Sequence, residues 1–328
     1  MRILVLGGTK FVGRHFVEAA LAHGHDVTLF HRGKTNPGLF PGLDERIGDR
    51  DGDLAALGDD TWDACVDTCG YVPRIVRASA AALAPRVVTY TFVSTLSVFR
   101  EFTAHNQDEN APLGVIDDPT VEVINAETYG PLKVLCEQAV QDEFPGGALI
   151  LRPGVIVGPF DPTDRFTYWV RRGAQEGDIL APGRPERLVQ FIDARDFADF
   201  MLARIEDGTT GTYNTVGPQP PCSMRALLET CQKVGGGGGS LVWASEKFLE
   251  EAEVKPWSEM PHYLPGSDDT FDCRRAVALG LRFRSVETTV RDTLAWDRTR
   301  SWDAPMAAGV SREREAQILT KWRSEARG

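Results

Sequence analysis

The sequence predicts an α/β fold in which helices cover both faces of a doubly wound parallel sheet, with a smaller C-terminal lobe. Short apolar segments alternate with helical patterns through the first half, and a glycine turn joins the first apolar segment to the first helix. Beyond Pro159 the alternation ends. We therefore expect one domain over residues 1–158 and a second lobe over residues 159–328, interleaved with late strands of the sheet.

The elements of the first domain follow in a regular order. RILVLGG predicts a strand, Gly13 to His23 a helix, and HDVTLFHR the second strand. A third strand ends before Asp49, WDACVDTCGY is the fourth, a helix runs through Ala78 to Leu83, and VVTYTFVST is the fifth. A helix containing Tyr129 leads to a last strand, ALILRPGVIV. Ligands of such sheets bind at the carboxyl ends of the strands.

The second half has a less regular pattern. A helix is expected near Met224 to Lys233, and SLVWA reads as a strand. The glycine run at residues 235–239 between them predicts a mobile surface loop rather than a domain boundary. Ser311 is expected to cap a last helix, whose Leu319 and Trp322 pack on the body.

Composition excludes several classes of protein. The chain of 328 residues is 42% hydrophobic and 25% charged, and it contains no apolar run of the roughly 18 residues that a membrane span needs. The first residues lack the pattern of a secretory signal, so we expect a cytoplasmic protein. A net charge of −11 argues against nucleic-acid binding, which needs clustered cations.

Cysteine and histidine spacing predicts no metal site. The histidines show neither HExxH nor facial-triad spacing, and the cysteines show no paired spacing typical of zinc sites. The chain is also longer than disulfide-stabilised scaffolds. We therefore expect six buried free thiols: Cys65, Cys69, Cys136, Cys222, Cys231 and Cys273.

The glycine turn predicts that residues 1–158 bind a dinucleotide. Glycines between a first strand and a first helix allow the backbone to approach a pyrophosphate, whose charge then faces the helix N-terminus. Lys10 occupies the position of the usual middle glycine, and a lysine there would add a cation to the site. The predicted contact segment is Gly7, Gly8, Thr9, Lys10, Phe11, Val12 and Gly13.

Residues at later strand ends complete the predicted cofactor site. NAD-binding proteins normally carry an acid after the second strand, whereas this chain has His31, Arg32 and Lys34. A guanidinium accommodates a 2′-phosphate, so we favour NADP over NAD. Asp49 is expected near the adenine. Two residues after the fourth strand are expected to present backbone atoms to the cofactor: Cys69 and Gly70.

Tyr129 and Lys133 predict proton-transfer chemistry. They stand four residues apart in AETYGPLKVLCEQAV, which puts both on one face of a helix. A nearby ammonium favours phenolate, so the pair can move a proton while a nicotinamide moves a hydride. Pro131 is compatible with a helix only in its first turn, which places Tyr129 at the helix entrance.

These motifs together resemble the extended short-chain dehydrogenase/reductases, the NAD-dependent epimerase/dehydratase family. The similarity covers nearly the whole chain, through GGTKFVG, FVSTLSVF, YGPLK, LRPGVIVGP, QFIDARDFA, GTYNTVG and RAVALGLRF. GGTK, HRG, CGYVP and QFID are most similar to an atypical branch of isoflavone-reductase-like bacterial proteins and plastid stem-loop RNA-binding proteins. The resemblance implies a Rossmann-type fold and, since relatives are often dimers, a homodimer as a candidate assembly.

The resemblance also implies the catalytic roles. Thr95, four residues before Phe99, would hydrogen-bond the reacting oxygen, and Tyr129 would donate or accept its proton. Lys133 would hold the nicotinamide ribose and lower the phenol pKa. Pro153, in the LRPG segment, is expected to contact the cofactor.

Departures from the family pattern bear on the substrate. Leu96 and Ser97 replace the acids of the dehydratases. Val155 and Val189 replace the Asn and Arg that in epimerases contact a nucleotide diphosphate. Two other residues are candidates for binding an anionic substrate: Arg165 and Arg187.

We therefore expect an NAD(P)-dependent oxidoreductase that acts on a small-molecule alcohol or ketone. An NAD-dependent sugar-nucleotide epimerase is the first alternative, and a non-catalytic RNA-binding protein is the second. The intact Thr95, Tyr129 and Lys133 argue against the RNA-binding alternative, because an RNA-binding protein has no need of a phenol beside an ammonium.

Overall fold

A seven-stranded parallel sheet forms the centre of the protein, in a computed structural model that describes residues 1–101, 104–268 and 270–325. The strands of the protein are β1 Arg2–Leu6, β2 Asp26–His31, β3 Asp44–Ile47, β4 Trp62–Asp67, β5 Val87–Val93, β6 Ala148–Pro153, β7 Val155–Val157, β8 Ile179–Pro182, β9 Leu188–Asp193, β10 Gly211–Thr215, β11 Gly217–Ser223 and β12 Leu241–Ala244. The large sheet has the order β10-β6-β5-β4-β1-β2-β3.

Helices pack on both faces of this sheet. They are α1 Phe11–Ala22, α2 Pro73–Leu83, α3 Tyr129–Glu143, α4 Arg165–Gly173, α5 Ala194–Glu206, α6 Met224–Gly235, α7 Glu246–Glu251, α8 Arg274–Ala278, α9 Val286–Asp297 and α10 Arg312–Glu325. Because side chains alternate along a strand, Ile3 and Val5 pack with α1 and α5, while Leu4 and Leu6 pack with α2 and α3. This architecture confirms the predicted doubly wound α/β fold.

The strand order places a crevice above β1. β1 lies between β2 and β4, so the connections leave it in opposite directions along the sheet. A ligand crevice forms at such a switch point, outside the carboxyl ends of the strands. The segments that follow β1, β2, β3, β4 and β5 all lie at this edge, since the strands are parallel.

The second half of the chain forms two smaller sheets and also contributes an edge strand to the large sheet. β11, β9 and β7 form one small sheet, and β12 pairs with β8 in the other. β10, although it lies beyond residue 159, pairs with β6 at the edge of the large sheet. The segment ALILRPGVIV, predicted as one strand, divides at Gly154 into β6 and β7, which belong to different sheets.

Helices α4, α6, α9 and α10 build the core of the second lobe. Arg171 of α4 pairs with Asp297 at 2.7 Å, and Arg172 pairs with Glu315 at 2.9 Å, all four side chains being buried. The predicted last helix is confirmed: the Ser311 hydroxyl accepts the amide of Arg314. Both hydrophobic residues predicted for that helix pack on the second lobe, namely Leu319 and Trp322.

The glycine run at residues 235–239 lies against the loop after α4. Its Gly237 amide donates a hydrogen bond to the Gly173 carbonyl at 3.1 Å. The six cysteines are free thiols, of which Cys69 and Cys222 are partly exposed. No helix in the described part of the chain combines the length and the hydrophobicity that crossing a bilayer requires.

Candidate active site

The loop between β1 and α1 forms a cradle for an anion. Gly7 and Gly8 have φ of +102° and +93°, a backbone conformation that other residues rarely adopt. A Cβ atom at Gly13 would lie 2.9 Å from the Gly8 backbone, so α1 approaches the loop closely. The arrangement directs the N-terminus of α1 at the crevice, and it fits the pyrophosphate of a dinucleotide.

A cavity of about 830 Å³ opens above this loop, and it is lined by every predicted residue from Gly7 to Gly13. Besides Arg50, three cations line it: Lys10, Arg32 and Lys34. None of these three has an ion-pair partner within the described ranges. Asn36 ties the segment after β2 to the glycine loop by donating to the Thr9 carbonyl at 2.8 Å.

The predicted cofactor-binding residues at and after the ends of β2, β3 and β4 do not all line the first cavity. His31 lines the cavity, but its Nδ1 accepts the Gly33 amide and its Nε2 lies 3.5 Å from a Glu45 carboxylate oxygen. Asp49 and Cys69 also line the cavity. Gly70, whose backbone was expected to face the cofactor, is buried and lines neither this cavity nor the next. Its carbonyl oxygen accepts a hydrogen bond from Lys133.

A second cavity of about 980 Å³ adjoins the first and contains the predicted catalytic residues. Thr95, Tyr129, Lys133 and Pro153 all line it. The two cavities share five lining residues: Phe11, Val12, Thr68, Tyr71 and Thr163. A dinucleotide bound over the glycine loop can therefore extend into the second cavity.

Gly130 explains how Thr95 and Tyr129 come together. Thr95 caps a 3-10 turn at residues 96–98, where its hydroxyl accepts the Ser97 amide at 3.1 Å. A Cβ atom at Gly130 would lie 2.0 Å from the Ser97 carbonyl oxygen, so the first turn of α3 packs directly on this turn. Pro131 lies in that first turn, as predicted. The glycine that follows Tyr129 in the sequence is the signal for this close contact.

Lys133 is buried beneath the second cavity. Its Nζ donates to the carbonyls of Gly70 at 2.7 Å and Val93 at 2.6 Å, and it lies 4.1 Å from the centre of the Phe92 ring. Burial lowers the pKa of Lys133 to about 8, although nearby anionic groups, Asp67 among them, oppose the change. The side chain therefore bridges the ends of β4 and β5, next to Tyr129.

The protonation of Tyr129 differs from the sequence-based expectation. Burial raises the pKa of the phenol, while the Thr95 hydroxyl and the positive charge of Arg165 act to lower it. Lys133 was expected to acidify this phenol, but its ammonium is engaged with two backbone carbonyls. The groups that favour phenolate here are therefore Thr95 and Arg165.

Buried polar clusters support the site, and sequence spacing did not reveal them. Glu137, one turn after Lys133, binds Arg152 through two hydrogen bonds of 2.9 and 2.6 Å and accepts the Ser94 hydroxyl at 2.5 Å. These contacts join α3 to the ends of β5 and β6. Residues far apart in sequence form them, so only the fold brings them together.

A second cluster lies below the first cavity. Arg50 binds both carboxylate oxygens of Asp67 at 2.7 Å, and the Tyr90 hydroxyl donates to the same carboxylate at 2.9 Å. Burial alone would raise the pKa of Asp67, but Arg50 holds it below its usual value. Arg50 lines the cavity while its charge is paired, in contrast to Arg32.

Only one of the two predicted substrate arginines faces a cavity. Arg165 lines the second cavity, with its guanidinium 5.6 Å from the centre of the Trp257 ring. Arg187 is 1% exposed and lines neither cavity, since it donates to the Ser267 carbonyl at 2.7 Å and lies over Tyr263. Arg187 precedes β9, which begins at Leu188, so the side-chain alternation of that strand does not extend to it.

One cluster of potential metal ligands lies at the opposite edge of the sheet. His23 and His25, which precede β2, approach the Glu206 carboxylate at 3.2 and 2.8 Å. Their ligand atoms and that of Glu206 all lie within 4.8 Å of one another. Sequence spacing missed the group because Glu206 comes from the end of α5. Each contact is also an ordinary imidazole–carboxylate hydrogen bond.

Comparison with known proteins gives the same fold and family. The model of the NAD dependent epimerase/dehydratase family matches residues 53–216. The structure is similar to that of UDP-glucuronic acid 4-epimerase from Bacillus cereus in complex with NAD, with a TM-score of 0.66, 16% identity, and coverage of 91% of this chain and 99% of that one.

Two curated proteins are similar in sequence. The dTDP-6-deoxy-L-talose 4-dehydrogenase (NAD(P)(+)) of Kitasatospora kifunensis is 26% identical over 70% of this chain and 77% of its own length. A chloroplast stem-loop binding protein of 41 kDa from Arabidopsis thaliana is 24% identical over 72% of this chain. The match spans 63% of the plastid protein's length.

The glycine cradle, the adjoining second cavity and these similarities agree with one another. The matched family model covers the second cavity's Thr95, Tyr129 and Lys133, and the sheet order is that of a nicotinamide dinucleotide-binding fold. The chain therefore belongs to the NAD-dependent epimerase/dehydratase family of NAD(P)-dependent proteins.

Proposed function

We propose that the protein is an NAD(P)-dependent oxidoreductase that acts on a small-molecule alcohol or ketone, with Tyr129 as general acid and base. The observation that carries the proposal is the convergence of Thr95, Tyr129 and Lys133 on one cavity that adjoins the glycine cradle. Side chains that can transfer a proton therefore lie beside a site that fits a dinucleotide.

Each residue has a defined part in the reaction. A bound nicotinamide supplies hydride transfer to or from the substrate carbon. In the oxidation direction the Tyr129 phenolate takes the proton of the substrate hydroxyl, and in the reduction direction the phenol returns it to the carbonyl oxygen. Thr95 hydrogen-bonds that oxygen and, with Arg165, favours phenolate, while the Lys133 ammonium orients the ribose.

A relative with net redox chemistry supports this proposal over epimerisation. The Kitasatospora kifunensis protein is a 4-dehydrogenase that uses NAD or NADP, as its name states. The positions of Val155 and Val189, both of which line the second cavity, offer apolar surface where epimerases would contact a nucleotide diphosphate. The cavity has the volume of a typical small-molecule site.

NADP is the cofactor that the first cavity favours. Arg32 and Lys34 line it after β2, where NAD-binding proteins carry an acid, and neither cation is neutralised by an acidic side chain of the described residues. A 2′-phosphate would supply the missing negative charge. Since the whole chain has a net charge of −11, two unpaired cations in one cavity favour a bound anion.

Replacing Arg32 by Ala tests this choice of cofactor. The variant is expected to bind NADPH about 10- to 100-fold more weakly, because a charge-assisted hydrogen bond contributes about 1.5–3 kcal/mol. NADH affinity should stay nearly constant. Fluorescence titration of both cofactors measures the two effects, with Arg77→Ala as the control, since Arg77 is an exposed arginine of α2 outside both cavities. An equal loss for both cofactors contradicts the proposal.

A sugar-nucleotide epimerase is the second candidate, and the structural similarity to UDP-glucuronic acid 4-epimerase favours it. In an epimerase the cofactor is regenerated in every turnover, so no reduced cofactor accumulates. With a substrate alcohol and free NADP or NAD, we expect absorbance at about 340 nm to rise in proportion to the ketone formed. Product formation without such a rise would favour epimerisation.

The similarity to the plastid stem-loop binding protein leaves an RNA-binding function to be tested. The acidic chain offers little for phosphate neutralisation. Filter binding of a stem-loop RNA over a salt series decides the matter, and we expect no retention even at low salt.

A further inference from the structure

Three polar side chains of the second cavity neither donate nor accept the proton in the reaction proposed above. They are Arg165 at the start of α4, Gln190 in the middle of β9, and His262 in the loop between α7 and α8. Three separate parts of the chain thus bring polar groups to one cavity. We call these residues the polar wall.

Gln190 presents an unused hydrogen-bond donor. The side chain is 4% exposed, and its Oε1 accepts the Phe271 amide at 2.6 Å, which fixes the orientation of the side-chain amide. Its Nε2 is therefore the donor end, and this nitrogen has no hydrogen-bond partner in the described part of the chain. A buried donor without an acceptor is unfavourable, so an oxygen atom supplied by a ligand would relieve the cost.

His262 adds a neutral imidazole. It is 2% exposed, has φ of +59°, and its ring lies about 6 Å from those of Phe166 and Phe191. Burial, together with the cations Arg165 and Arg187, lowers the pKa of His262 to about 3, so the ring is uncharged at neutral pH. Its Nε2 lacks a hydrogen-bond partner among the described residues.

Arg165 supplies the positive charge of the polar wall. Its exposed guanidinium has no acidic partner within the described ranges. Asp161 lines the same cavity, but its carboxylate accepts the Thr163 amide and hydroxyl, both at 2.8 Å, and burial raises the pKa of Asp161 to about 6. With Arg165 as its one charged side chain, the polar wall suits a monoanion better than a dianion.

We propose that the polar wall binds a carboxylate of the substrate, so that the substrate is a hydroxy acid or a keto acid. A carboxylate is an acceptor-only group, and it matches the donors of Arg165 and Gln190. The assignment rests on the oxidoreductase function proposed above and narrows its substrate class. Arg165 also acts to lower the pKa of Tyr129, so the polar wall lies near the proposed acid and base.

The binding of small carboxylates to the protein saturated with NADPH tests the assignment. The probes are lactate, mandelate and gluconate, each compared with its neutral amide by calorimetry. We expect at least one carboxylate to bind about tenfold or more tightly than its amide, since hydrogen bonds to a charged group are stronger than those to a neutral one. Arg165→Met should abolish this preference, and Gln190→Leu should weaken carboxylate binding.

Arg291→Met is the matched control, because Arg291 is an exposed arginine of α9 that lines neither cavity. It should keep the full preference for the carboxylate. The assignment is overturned if no carboxylate binds more tightly than its amide, or if the preference persists in Arg165→Met. Tighter binding of glycerol phosphate or UDP-glucose than of every carboxylate would overturn it as well.

The same probes separate this inference from the proposed function. If a carboxylate binds through Arg165, but the hydroxy acids never reduce NADP or NAD and the matching keto acids never oxidise NADPH or NADH, the oxidoreductase function fails and the carboxylate site stands. If the neutral amides are turned over as fast as the acids, the carboxylate site fails and the oxidoreductase function stands.

Discussion

Replacing Tyr129 by Phe is expected to lower kcat/KM by about 10²- to 10⁴-fold, the usual contribution of general acid–base catalysis. The change removes one hydroxyl from a half-buried ring at the start of α3 and leaves the packing of Gly130 against Ser97 intact. Cofactor affinity should therefore stay close to that of the wild type. Steady-state rates and a cofactor titration on the same preparation measure both quantities.

Tyr71→Phe is the matched control for this variant. The Tyr71 ring lies 6.4 Å from that of Tyr129 and lines the same cavity, so both changes remove a phenol hydroxyl from one site. Tyr71 is 45% exposed and is not one of the three residues assigned to the proton transfer. We expect Tyr71→Phe to keep most of the activity. Full activity of Tyr129→Phe with cofactor bound would remove the basis of the proposed mechanism.

Replacing Lys133 by Met is expected to lower kcat/KM by about 10- to 100-fold, the cost of losing a charge-assisted hydrogen bond. The variant also leaves the carbonyls of Gly70 and Val93 without their shared donor, so a lower melting temperature should accompany the loss. Lys233→Met is the control, because Lys233 is an exposed lysine whose ion pair with Glu287 contributes little.

The pH profile gives an independent test of Lys133. Its positive charge is present below the lowered pKa of about 8 and is lost as pH rises through that value, so wild-type kcat/KM should fall above about pH 8. This decline should be absent in Lys133→Met. Between the folded pKa of about 8 and the unfolded value of 10.5 the unfolded chain holds more protons, so Lys133 increasingly favours the folded state as pH rises. Unfolding caused by Lys133 therefore cannot produce the decline.

Features that depend on local spacing could be predicted from the sequence. Alternating apolar segments predict the strands. The glycines after the first segment predict the loop between β1 and α1, where Gly7 and Gly8 adopt positive φ. The interval between Tyr129 and Lys133 is one helical turn, so their approach to a common cavity follows from helix geometry. For these features the physical cause lies within a few residues of chain.

Features that depend on contacts between residues far apart in the sequence could not be predicted from it. Gly70 and Val93 lie 63 and 40 residues from the Lys133 ammonium that they bind, and no spacing rule links them. Arg187 was misplaced for the same reason, since its burial depends on where β9 begins and on the loop that carries Ser267. Gln190 was not recognised because only the Phe271 contact gives its amide a fixed direction.

The position of the nicotinamide ring in a crystal structure of the complex with NADPH tests the account most directly. We predict that the ring lies in the second cavity, with its reactive carbon facing the Tyr129 hydroxyl and the Lys133 ammonium within about 3.2 Å of a ribose hydroxyl. A nicotinamide ring outside that cavity, or a ribose beyond the reach of Lys133, would contradict the assignment of Tyr129 as the acid and base.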